Sequence, residues 1–269
     1  SHFFDTDSGM EVVAGIDAEH TSGYLRQTQD SPTLGSAFLR ATIPTGKHYD
    51  YDVQASQFAP FLQASRKLND SLSLTVGARH ETMRYDYDNR MLTGRTRDDG
   101  TACSFGGCRY SRPESATNSY DNTSFDVSAR YETSKDYMFY LRMASAFRAP
   151  QATELYRLQR SQVVADLDPE KIKSAEIGLR GETDSVKMDF AIYTMWKDNV
   201  IFRDSGYNNV SDGETEHRGI ELDISYTLSE ELRLSLSGTY VRHKYANNPG
   251  LLNDIDGNLI LLDGNEVDT

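Results

Sequence analysis

The sequence predicts an all-β chain of antiparallel strands, about nine of them, arranged as an incomplete segment of a transmembrane β-barrel. Three observations carry this. Apolar and polar residues alternate with period two over stretch after stretch, which puts them on opposite faces of a strand. The connections alternate strictly, turns of about three to six residues against loops of about 14 to 32. An antiparallel barrel places alternate connections at opposite ends, and outer-membrane barrels have short turns at one end and long loops at the other. Finally, the polar faces carry both signs of charge, which suits a wet lumen. A two-sheet sandwich, with the alternating face as its core, is the alternative.

The elements follow in order. Residues 11–20 alternate, with Val12, Ala14, Ile16 and Ala18 on one face, and residues 21–46 read as loop. A strand fits 49–65, where Pro60 suggests a bulge or a rim position because proline donates no ladder hydrogen bond. Leu72 to Tyr87 alternates plainly, and 88–119 is a long polar loop. Residues 120–132 and 137–147 form the next pair around a turn at Thr133–Asp136, and Pro150 ends the second of them. A loop then runs to about Lys171. Strands at 172–182 and 186–202 flank a tight turn, 203–216 reads as loop, and strands at 218–228 and 232–243 complete the set.

Composition narrows the function classes. The 269 residues carry a net charge of −13, leaving no basic surface to meet the phosphates of nucleic acid. Hydrophobic content is 38% and mean hydropathy −0.61, and apolar runs reach about four residues, far short of a membrane helix. Membrane strands need only one apolar face. Both ends look cut, and an odd strand count cannot close a bacterial barrel, so a fragment is expected.

No constellation of nucleophile and base, no metal-ligand spacing and no phosphate-binding glycine loop is present, so the chain reads as a non-enzyme without a cofactor or metal. Its six histidines are scattered. Cys103 and Cys108 flank Ser-Phe-Gly-Gly and are expected to form a small-loop disulfide, with free thiols or a metal pair as alternatives. The loop candidates for ligand capture are Arg148, Glu154, Tyr156, Arg157 and Arg160, with Arg203 and Tyr207, because arginine forks suit carboxylate or catecholate oxygens and tyrosines offer amphipathic area. Arg148 and Glu154 have a loop-anchoring role as their alternative. Arg79, Glu81, Arg130, Arg142, Glu176, Arg180, Glu221 and Asp223 fall on the polar parity and are expected to face the lumen. Tyr49, Tyr51, Tyr85, Tyr87, Tyr120, Tyr137, Tyr240 and Tyr245 lie near strand ends and are expected to form interfacial girdles.

The run SAFRAPQATELY (Ser145–Tyr156) resembles a segment of the TonB-dependent outer-membrane receptors. So do LDPEKIKSAEIGLRG (Leu167–Gly181), YTMWKDNVI (Tyr193–Ile201) and HRGIELD (His217–Asp223), in the same order. VGARHETMRYDY is similar to a further family strand, with His80 and Glu81 where Tyr and Asp are usual. The resemblance implies a 22-strand barrel of which residues 1–269 form part of one domain, with the plug domain and C-terminal strands outside this sequence. It implies residence in the outer membrane of a Gram-negative bacterium, and contact with lipid, the protein's own plug and the TonB complex. The implied cargo is a ferric siderophore or another scarce small nutrient. The alternatives are a passive porin-like barrel and a soluble β-sandwich binding module.

Overall fold

The computed structural model describes residues 2–5, 9–133, 136–249 and 258–267; the turn expected at Thr133–Asp136 lies partly outside them. One antiparallel sheet contains β1 (His2–Asp5), β2 (Met10–Gln29), β3 (Gly46–Lys67) and β4 (Leu72–Asn89). It continues, past a two-residue strand β5 (Tyr110–Ser111), through β6 (Ala116–Glu132) and β7 (Tyr137–Arg148). A second two-residue strand, β8 (Leu158–Gln159), precedes β9 (Glu170–Glu182), β10 (Val186–Arg203), β11 (Asn209–Thr227) and β12 (Arg233–Tyr245). Each sheet strand pairs with the next in sequence, so the sheet is an up-and-down meander, open between β1 and β12. Nine strands are long, as expected; the four-residue β1 is an addition. Two short helices, α1 (Ala37–Thr42) and α2 (Ala152–Tyr156), sit in the long loops.

The strands reach further than the alternation suggested. β2 extends nine residues past the expected end at His20, to Gln29. The stretch read as loop at 203–216 is mostly strand: β10 runs to Arg203 and β11 begins at Asn209, leaving only 204–208 as a turn. A bulge accommodates this, with a register shift between Lys197 and Val200 and Asn199 at φ +57°. Pro60 makes neither a bulge nor a rim. It stands opposite Ile16 with no register shift around it, and the β3–β4 ladder skips 59–60.

Residues directly opposite across an antiparallel ladder share a face, so the register sorts the whole sheet. One face carries a belt of four outward positions per strand, adjoining the short turns. On β2 these are Val12, Ala14, Ile16 and Ala18; on β4, Leu72 to Ala78; on β7, Tyr137, Phe139, Leu141 and Met143; on β11, Tyr226, Ile224, Leu222 and Ile220. The next outward residue on these strands is His20, His80, Ser145 or Arg218. Seven residues at roughly 3.3 Å each span ~23 Å along the strand, close to the ~25 Å apolar band of membrane barrels. This belt is uncovered: Ile16 is 61% exposed, Phe125 56% and Leu236 61%. A sandwich would bury those side chains, so the sandwich alternative fails. No helix among the described residues is long and apolar enough to cross a membrane.

The water-excluded core lies elsewhere, where the long loops fold over the strand ends. Tyr49, Tyr51, Val53, Tyr85 and Tyr87 pack there against Cys103, Cys108, Tyr110, Leu155, Tyr156, Leu158 and Leu167. This corrects the girdle expectation. Tyr49, Tyr51, Tyr85, Tyr87 and Tyr120 lie on the polar parity under the loops, and Tyr245 is on that face too. Tyr137 and Tyr240 do point outward, joined by Tyr131 and Tyr226, with Tyr131, Tyr137 and Tyr226 at the short-turn rim.

Candidate functional site: the loop cap and the polar face

Above the belt, the loops 30–45, 90–115 and 149–169 form a single cap. Its centre is Arg112, 1% exposed, which donates to the carbonyls of Leu92 (2.7 Å), Thr96 (2.7 Å) and His48 (3.2 Å) and to Thr96 Oγ1 (2.9 Å). A buried charge is tolerated only when fully hydrogen-bonded, and these four acceptors bind two loop segments to the top of β3. His48 stacks on Tyr110 at 4.2 Å and its Nε2 meets Pro44 O at 2.7 Å. Burial pushes the His48 pKa down, against the raising effect of the Pro44 carbonyl. The expected disulfide is present between Cys103 and Cys108 and closes the tip of the 90–115 loop.

The 149–169 loop is held by a separate clamp. Arg148 donates to Glu154 (3.0 and 3.2 Å) and to Glu170 (2.9 Å), while Glu154 accepts from the Gln151 amide at 2.6 Å and completes the capping box of α2. Glu170 also accepts from the Ile201 amide at 2.9 Å. Burial alone would raise the Glu170 pKa, but Arg148 and that amide outweigh it and hold it low; the same carboxylates raise that of Arg148. Tyr156 is 3% exposed, stacked on Tyr87 at 4.1 Å and donating to Asn118 at 2.8 Å. Three of the seven loop candidates, Arg148, Glu154 and Tyr156, are thus built into the cap's framework. The anchoring alternative describes Arg148 and Glu154, and Tyr156 presents no open surface.

The other four make no side-chain bond to Arg148, Glu154 or Tyr156. Arg157 reaches Gln27 at 3.1 Å, and Arg203 reaches Asn209 at 3.3 Å. Both stand near Tyr49, whose phenol burial pushes up to about 12 against their opposing charge. Arg160 lies 3.8 Å over the Tyr207 ring, with Arg109 5.0 Å from the same ring. Sequence reasoning missed Arg109, Arg112 and Asn209. Buried Asn209 exchanges hydrogen bonds of 2.8 Å with Gln162 and donates to Glu154 O at 2.7 Å, fastening the loop to β11. Little in the local sequence marks these residues: Arg112 bonds groups 16 to 64 residues away, Asn209 bonds the 149–169 loop across 47 and 55 residues, and the Arg109 amide bonds the distant Thr42 carbonyl.

The register brings Arg79, Glu81, Arg130, Arg142, Glu176, Arg180, Glu221 and Asp223 onto one face, opposite the belt. Several are paired along it: Arg79 with Asp17 and Glu81, Arg142 with Asp126 at 2.7 Å, Arg180 with Asp189 at 2.6 Å, and Glu176 accepting from Tyr140 at 2.7 Å. Higher on this face His217, 8% exposed, contacts His243 across the β11–β12 ladder and Thr215 at 2.9 Å. Among the described residues no group of three or more His, Cys, Asp and Glu side chains is placed to hold a metal.

A meander with a bare apolar belt at the short-turn end and a charged opposite face defines a transmembrane β-barrel wall. Residues 2–268 match the family described as TonB dependent receptor-like, beta-barrel, and the chain belongs to that family. Among solved structures it is similar to the ferric yersiniabactin uptake receptor FyuA from Yersinia pestis (TM-score 0.65, 16% identity, 90% of this chain and 34% of that one). It is likewise similar to the copper transporter OprC (0.69, 16%, 91% and 36%) and to the siderophore receptor PiuA from Acinetobacter baumannii (0.63, 13%, 98% and 40%). At these identities the likeness is one of fold. The chain spans about a third of the length of the structures it matches. The matched family and structures are receptors and transporters. TonB-dependent receptor barrels are outer-membrane proteins of Gram-negative bacteria.

Proposed function

We infer that this chain is part of the barrel wall of an outer-membrane active-transport receptor that takes up a ferric siderophore or a similar scarce metal chelate, energised through TonB. The observation that carries the reading is the division of the sheet into a lipid-facing belt, a charged inner face and a rigid cap of long loops, in a chain of this family. On this reading residues 1–269 belong to a single 22-strand barrel domain of a Gram-negative outer membrane. The rest of the protein supplies a plug that packs on the charged face and a segment that engages TonB. Arg157, Arg160, Arg203 and Tyr207 face the cargo. The work done is binding and passage, so the protein has no catalytic residue and no resident cofactor.

The test is growth and radiolabelled-iron uptake by an iron-starved strain expressing the full-length protein, supplied with a panel of ferric chelates, with and without a functional TonB. Uptake of at least one chelate that vanishes without TonB is the expected result. Uptake that persists undiminished without TonB would replace this reading with a passive porin-like barrel.

A further inference from the structure

One row of the charged face carries donors of a different kind. Met195 of β10 stands opposite His217 of β11, and His217 stands opposite His243 of β12. Residues directly opposite share a face, with Cβ atoms about 4.5–5.5 Å apart. Three neighbouring strands therefore deliver a thioether and two imidazoles side by side. The two rings lie 4.7 Å apart between centroids, at 67° to one another, and their Nδ1 atoms meet. His217 is buried, and its Nε2 bonds Thr215 Oγ1 at 2.9 Å. That bond fixes the ring and aims its Nδ1 at His243. Met195 and His243 are half-buried. Toward the short turns the next position is Gly219, with the Tyr193 ring lying over it and closing that side. Toward the cap, Lys197 stands opposite Thr215.

An imidazole binds a metal through the nitrogen that its other hydrogen bond leaves bare. With Nε2–H donated to Thr215, His217 presents the Nδ1 lone pair. Neutral His243 presents its own Nδ1 by carrying its proton on Nε2, so an ion enters between the two rings without a net change in protons. The flexible thioether of Met195 reaches in from the other ladder. This donor set selects the ion. A thioether with two imidazoles is soft and neutral, and among the described residues no carboxylate or thiolate joins the two histidines as a metal ligand. Such a set favours copper(I), whereas structural zinc takes four ligands. The Lys197 ammonium acts in the same direction, since its repulsion of a bound ion doubles with the charge of that ion. Glu176, opposite Tyr193 in the next row, is engaged by Tyr140. We propose that Met195, His217 and His243 form a binding site for a copper(I) ion on the charged face of the wall, tying β10, β11 and β12 together beside the upper edge of the belt. The site stands apart from the loop cap and does not rest on the transport reading. Short-range spacing conceals it, because 26 residues separate the two histidines.

The test is anaerobic titration of the purified full-length protein in detergent with copper(I), kept reduced by ascorbate and held in competition with a colorimetric copper(I) chelator, together with X-ray absorption at the copper edge. The parent is expected to bind one copper(I) that the His243→Ala variant does not, with silver(I) competing for it and an equal concentration of zinc(II) failing to displace it. Met195→Leu conserves volume and charge; it is expected to leave the melting temperature without metal unchanged, to weaken this copper by about tenfold or more, and to remove a sulfur from its coordination. Thr215→Val, which frees the His217 ring, is expected to weaken it by about tenfold or more through orientation alone, with the sulfur signal retained. Copper(I) bound equally by parent and His243→Ala, a Met195→Leu variant with unchanged affinity and sulfur signal, or displacement by equal zinc(II) would each overturn the proposal. If His243→Ala does not fold, Met195→Leu decides. Copper binding without TonB-dependent uptake of a ferric chelate would sink the transport reading and leave this site; uptake without copper binding would do the reverse.

Discussion

Leu222→Arg tests the placement of the sheet in a membrane. Leu222 is the third of four outward positions on β11, counted from the short-turn rim at Tyr226 through Ile224, and stands opposite Phe190 and Gly238. That is mid-belt, where an arginine facing lipid costs about 2–4 kcal/mol, against ~0–1 near an interface. Ile220→Arg lies one step below the native, outward Arg218 and should cost less, toward the lower figure. The control is Thr239→Arg. Thr239 lies on β12 opposite Glu221, one residue along from Gly238 and on the charged face, so the new guanidinium gains a carboxylate and should cost under about 1 kcal/mol. The assay is guanidinium unfolding of the full-length protein in phospholipid vesicles, read by heat-modifiable gel mobility. If Leu222→Arg costs no more than Thr239→Arg, or Ile220→Arg costs more than Leu222→Arg, the belt does not face lipid as assigned.

Further outcomes follow from the cap. Arg148→Ala leaves Glu154 and Glu170 facing each other and should loosen residues 149–169 by about 1–3 kcal/mol, less than for a fully buried pair because the group is partly solvated; hydrogen exchange of that loop reads it. Replacing Cys103 and Cys108 by Ser removes the closure of a very short loop, worth about 2 kcal/mol in the chain-entropy view, and should speed proteolysis at 95–108 while leaving barrel mobility unchanged. The folded pKa values of His48 and Glu170 are both lowered, so the unfolded cap binds more protons and their contributions are lost as pH falls: below about 6.5 for His48 and below about 4.5 for Glu170. Loop protection should decline stepwise on acidification, and protection that rises would contradict the sign. Gly178→Ala should push the Tyr140 ring off the strand and weaken its bond to Glu176, seen as a lowered unfolding midpoint.

The belt was legible because lipid on one side and polar side chains on the other leave a period of two in the residues themselves. Above the belt both faces of the strands meet water or the cap, and the signal disappears. That is why 21–29 and 209–216 read as loop although they are strand. Candidate residues chosen by chemistry alone mixed two populations: Arg160 and Tyr207 at the apex, and Arg148, Glu154 and Tyr156 in the framework. The residue that organises the cap, Arg112, looked like any loop arginine, since its acceptors are carbonyls of His48, Leu92 and Thr96. Carbonyls carry no sequence signature. The tyrosines misled for a related reason, because proximity to a strand end does not say which face a ring occupies.

The belt adjoins the short turns, and the strands run on for about five to twelve residues beyond it, their upper ends packing into the cap. The chain therefore meets two media at once, and its belt and its loop cap have separate solvents. The cap is held together by burial from water and the belt faces hydrocarbon, the two meeting along the strands they share. Insertions or exchanges of loop sequence in the cap leave the membrane-facing residues untouched, so the cap is free to change in sequence while the wall that carries it stays the same.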